Sequence, residues 1–118
     1  MKIKISTPIF PTEDSEKIKN SLENIFGISF KIKKDVISSE SKNPEVLSTM
    51  KEKIQNARIK NTVLFLIEQN KTENTSKLKL NKQSAMAGKI HFVEEDYPLG
   101  NITIEFDDST EIENYIST

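Results

Sequence analysis

Four runs in this chain alternate between polar and large apolar side chains: KIKIST at 2–7, ISFKIK at 28–33, KLKL at 77–80 and NITIEF at 101–106. A period of two cannot form the stripe of an amphipathic helix. It describes strands that bury one face and wet the other. Ile3 and Ile5, Ile28, Phe30 and Ile32, Leu78 and Leu80, and Ile102, Ile104 and Phe106 fall on the inward sides. A further strand is expected in IHFVEED at 90–96, with Ile90 and Phe92 inward.

Between these runs the apolar spacing changes to that of helices. Ile18, Leu22, Ile25 and Phe26 make one stripe, with Thr12 as the expected N-cap and Gly27 as the stop. Asn43 and Pro44 open a second helix, expected to run unbroken from about 44 to 68. Its expected buried side carries Leu47, Met50, Ile54, Ala57, Leu64 and Phe65. Asp108 followed by Glu111 has the spacing of a capping box, ahead of Ile112, Tyr115 and Ile116 on a last short helix. The order β-α-β-α-β-β-β-α in 118 residues predicts one α+β domain over 1–118. It is a two-layer sandwich: a mixed or mostly antiparallel sheet with helices on one face.

The outward strand positions are mostly lysines: Lys2, Lys4, Lys31, Lys33, Lys77 and Lys79. If their strands are neighbours, the uncovered face becomes a broad lysine surface, extended by Lys82, Lys89 and His91. Lysine is a mobile point charge suited to phosphates rather than base edges. The bland reading is a solvated face, since edge lysines also discourage strand aggregation. No aromatic accompanies these lysines, although base-stacking platforms use aromatics. A net charge of −1 excludes a generally basic coat. Charge is nevertheless segregated, because residues 92–118 hold eight carboxylates and no lysine or arginine.

Catalytic chemistry finds little support. There is no cysteine, which removes disulfides and thiolate chemistry. His91 is the one histidine, and a lone strand histidine is usually structural or on the surface. Glu94, Glu95 and Asp96, and Asp107 with Asp108, form carboxylate runs without metal-loop spacing. No Gly-rich phosphate loop, HExxH or nucleophile elbow occurs. The expectation is a non-catalytic, cofactor-free, cytoplasmic protein with no membrane segment. Arg58, the single arginine, could fork onto a phosphate or lie along the core.

The segment NKQSAMAGK at 81–89 offers Asn81 and Gln83 for hydrogen bonds and Lys82 and Lys89 for charge. Gly88 could take a positive φ there. The same pattern also fits a local cap with Met86 packed on the core.

Four blocks, TPIFPTED, NARIKN, LNKQSAMAGKIHF and YPLGNITI, together resemble an archaeal family of small uncharacterised proteins of the UPF0201 type. That family is related to the ribosomal protein L5 domain and to a predicted RNA-binding family. The residues carrying the resemblance are Pro11, Thr12, Glu13 and Asp14; Ala57 and Arg58; Asn81, Lys82, Gln83, Ala85 and Gly88; and Leu99 with Gly100. The resemblance implies an L5-like two-layer fold, a homodimer and structured RNA as partner, and brings no catalytic residues. The lysine-rich, arginine-poor composition departs from it and weighs against bidentate recognition by arginine. Lys82, Lys89 and Arg58 are thus the expected backbone contacts, Asn81 and Gln83 the hydrogen-bonding groups, and Lys31, Lys33, Lys77 and Lys79 the surrounding field. The alternative is a homo-oligomeric structural or protein-interaction module without nucleic-acid binding.

Overall fold

The computed structural model describes residues 1–118. Its sheet has five strands: β1 (Ile3–Pro8), β2 (Lys31–Lys33), β3 (Val36–Ser41), β4 (Ser76–Asn81) and β5 (Asn101–Phe106), in the order β2-β3-β1-β5-β4. Every pairing is antiparallel. The helices α1 (Ser15–Phe26), α2 (Ser48–Ala57), α3 (Lys60–Gln69), α4 (Lys82–Met86) and α5 (Ser109–Ser117) complete an α+β fold with the helices packed on one face. A short 3₁₀ turn, Pro44–Leu47, precedes α2.

The alternation in β1, β4 and β5 does what a period of two requires. Ile3, Ile5, Leu78, Leu80, Ile102, Ile104 and Phe106 are buried against Ile18, Leu22, Leu47, Met50, Ile67 and Ile112 of the helical layer. Fully burying one such side chain stabilises by about 1.5–3 kcal/mol. Register keeps the faces aligned: Ile5 opposes Ile104, and Ile104 opposes Leu78. A one-residue slip would put lysines into the core.

Several expectations need correcting. The strand at 28–33 shrinks to Lys31–Lys33, with Phe30 buried just before it and Ile32 exposed at the rim. Residues 36–41, outside every strand expected from the alternation, are a full strand paired to β1. The β2–β3 hairpin turns at Lys34, which takes φ 57. Lysine at such a position lacks the Asn-Gly or Asp-Gly signature that announces a hairpin, so the second strand was obscured.

The expected helix from 44 to 68 is broken in two at Arg58, which adopts φ 58 and ψ 41 and caps α2 in the left-handed region. That rotates the helical phase beyond the break, so Phe65 is exposed rather than buried; Ala57, the last residue of α2, is exposed as well. Asp14, not Thr12, caps α1, accepting from the N–H groups of Glu16 and Lys17. The IHFVEED strand reduces to a single bridge between Phe92 and Leu80. Gly27 does end α1, at φ 68, and Asp108 caps α5 through the Glu111 N–H.

Candidate nucleic-acid interface

With the helices on one side, the other side of the sheet is open. Because β1 is central and β2 and β4 lie at opposite edges, the outward residues form rows across the strands. One row runs Lys31, Ser38, Ser6, Thr103, Lys79. The next runs Glu40, Lys4, Glu105, Lys77. Lys33 stands opposite Val36 on the same face.

The expected lysines therefore share one face, but they are not contiguous. Lys31 and Lys33 hold one edge and Lys77 and Lys79 the other, with Lys4 between them. Glu40 and Glu105 interrupt the field, and Lys2 Nζ lies 3.4 Å from Glu40. Lys79 Nζ donates to Asp96 at 3.1 Å, on a carboxylate that is 85% exposed. Such a surface pair is worth at most about 1 kcal/mol.

Where β4 meets the α3–β4 turn the open face deepens into a groove of about 390 Å³. Lys2, Lys4 and Lys77 line it with Asn70, Thr72 and Thr75, and the carboxylates of Glu105 and Asp107 also belong to its lining. Asn70 Nδ2 donates to the Lys77 carbonyl, fixing the turn to the strand. The outer edge of β4 is closed by the following segment, since Asn81 N donates to His91 O at 2.8 Å and Val93 N to Lys79 O at 3.0 Å. Approach is thus across the face rather than along that edge.

The segment 81–89 divides. Lys82 is 2% exposed, which removes it from any surface role. Its ammonium donates to Pro8 O at 2.7 Å, to Leu99 O and to Glu13 Oε1 at 3.0 Å. Those acceptors satisfy all its donors. It also lies 5.5 Å from the centroid of the Phe10 ring. Glu13 Oε1 accepts from the Phe10 N–H as well. The lysine expected to bind a phosphate instead ties three distant chain segments together. Asn81 caps α4 through the Ser84 N–H at 2.8 Å, and Met86 packs on the core. Gln83 on α4 and Lys89 beyond it remain exposed. Arg58 is exposed at the α2–α3 corner, in the helical layer and apart from the open sheet face.

Of the acid and base candidates, His91 is exposed. No cluster of three or more His, Asp or Glu side chains is close enough to hold a metal ion. No helix is long and apolar enough to cross a membrane. The residues that sequence reasoning overlooked are Ser6, Ser38 and Thr103. Ser6 and Thr103 could have been found from the alternation that exposed the lysines, and Ser38 only once 36–41 was read as a strand.

A family model described as RNA binding matches residues 2–107. A UPF0201 protein of Sulfurisphaera tokodaii is 32% identical over 116 residues, covering 91% of this chain and 80% of the relative. The chain belongs to both the RNA-binding family and the UPF0201 family. Another UPF0201 protein, from Thermococcus kodakarensis, is 30% identical over 86% of this chain and 77% of its own length. The crystal structure of the UPF0201 protein from Methanococcus jannaschii superposes with a TM-score of 0.79 at 26% identity, covering 98% of this chain and 92% of that one. The UPF0201 relatives therefore share the sheet and helical layer described above.

Proposed function

We propose that this protein binds RNA without catalysing a reaction, and contacts the RNA backbone through its open sheet face. The observation that carries the reading is that face itself. It is uncovered and polar, it bears lysines from β1, β2 and β4, and it stands on a chain whose family model is described as RNA binding. Lys4, Lys31, Lys33, Lys77 and Lys79 serve as phosphate partners, with Lys2 at the groove. Gln83 and Lys89 lie outside this set, and Lys82, Asn81 and Arg58 act in the fold.

The experiment is fluorescence anisotropy with RNA over a salt series. Each phosphate contact steepens the loss of affinity with salt, by about 0.7–0.9 in the log–log slope. Binding that weakens with salt, and weakens further when Lys4, Lys31 and Lys77 are changed to Gln, supports the reading. Absence of binding at low salt sinks it.

A second reading, a homodimer, is favoured by one observation. The row Glu40, Lys4, Glu105, Lys77 alternates in sign, so a second copy turned about a two-fold axis would set each lysine against a carboxylate. This would use the same face, so dimerisation and RNA binding would compete. Sedimentation with and without RNA separates the two.

A further inference from the structure

We infer that the open face takes duplex RNA rather than a single strand or duplex DNA; this rests on the RNA-binding reading above. The inference starts from what lies between the lysine edges. Lys31 and Lys79 end one row, and the three positions joining them are all hydroxyls: Ser38, Ser6 and Thr103. Each is half-buried. On the other face of β3 the serines are spent on the fold, with Ser39 Oγ donating to Ser29 O and Ser41 Oγ to Asn43 O. The outward lane is thus a strip of short donor–acceptor groups with positive charge at both ends.

Four interstrand steps separate β2 from β4. At about 4.8 Å each, the lysine edges stand ~19 Å apart. Two phosphate strands flanking a shallow groove fit that span, whereas one strand can follow only one edge at a time. The minor groove of A-form RNA is wide and shallow, and it displays 2′-hydroxyls that donate and accept. The minor groove of B-DNA is only about 6 Å wide and has no such groups. Strand twist makes the sheet a saddle, so a cylinder can lie along its concave diagonal with each lysine edge against one backbone.

Single-strand recognition would need stacking partners. No strand places an aromatic side chain on this face: Phe106 is turned into the core and Phe92 lies beyond the β4 edge. Base–aromatic stacking contributes about 1–3 kcal/mol per base where it exists, and here it is absent. Lys79 is held by the exposed Asp96, a carboxylate that occupies the place a phosphate would take.

The test compares three probes of equal length by anisotropy: an RNA duplex, an unstructured RNA single strand and a DNA duplex of the same sequence. The inference expects the RNA duplex to bind at least about tenfold more tightly than either of the others, a difference of about 1.4 kcal/mol. The triple variant Ser6→Ala, Ser38→Ala, Thr103→Val should narrow the gap between RNA and DNA duplexes while keeping the wild-type salt slope. Lys31→Gln with Lys33→Gln, and Lys77→Gln with Lys79→Gln, should each flatten that slope on the RNA duplex. Equal or tighter binding of the single strand overturns the duplex inference and leaves the RNA reading standing. An unchanged RNA-to-DNA ratio in the hydroxyl variant also overturns it. Failure to bind any RNA overturns both.

Discussion

Lys82 and the lysines of the open face are the same residue with opposite fates. Lys82 is sealed between β1, the 97–100 turn and the approach to α1, with its charge matched by Glu13 and two carbonyls. Lys31, Lys33 and Lys77 extend from strands into solvent. A buried ammonium is stable only when every donor is satisfied, so Lys82 specifies geometry. An exposed ammonium has little structural work and remains available to a partner. The difference is one of surroundings, and it separates the part of the molecule that holds the fold from the part proposed to meet RNA.

The hardest blow to the buried side is Lys82→Ala. It leaves Glu13 desolvated and unpaired, and a loss of about 3–5 kcal/mol is expected in urea unfolding. A cost below 1 kcal/mol would mean that the pair is not buried in solution. Gly100 stands beside this knot at φ 78, and a Cβ there would run into the Pro8 ring. Gly100→Ala should therefore cost more than about 1 kcal/mol by thermal melting, whereas Gly88→Ala, with open space around it, should cost less.

On the open face the order inverts. Lys31→Gln and Lys77→Gln should each change stability by no more than about 0.5 kcal/mol while lowering RNA affinity. Asp96→Asn should raise that affinity severalfold at low salt, since it frees Lys79. Equal losses of stability in the two lysine groups would erase the distinction between them.

The smallest effect concerns pH. Burial, and then the negative charge of Glu45, raise the Tyr115 phenol above its ordinary pKa. Its folded value exceeds its unfolded one, so the contribution is complete below about pH 10 and is lost as pH rises through the folded value. Unfolding free energy should fall above pH 10, and Tyr115→Phe should reduce that fall.

The alternating runs made β1, β4 and β5 legible, because hydrophobic period and burial are tied through the pleat. They also put the lysines on one face before any strand order was known. Strand order itself was hidden, since it depends on which antiparallel neighbours the helices allow, and so the interruption of the lysine field by Glu40 and Glu105 was hidden too. The break at Arg58 had no local signal: a non-glycine residue at positive φ is uncommon, and beyond it Val63 is buried and Ile59 packs against the core. Lys82 was misread for a similar reason. Lysine is almost never fully buried unless paired, and its partner Glu13 is 69 residues away.

The most direct test of the central claim is amide chemical-shift mapping on addition of RNA. The account predicts that the largest changes cluster on the outward positions of β1, β2, β4 and β5, including Lys4, Thr103 and Lys77, while α2 and α3 around Arg58 stay still. Changes concentrated on the helical layer, with the open face silent, would contradict it.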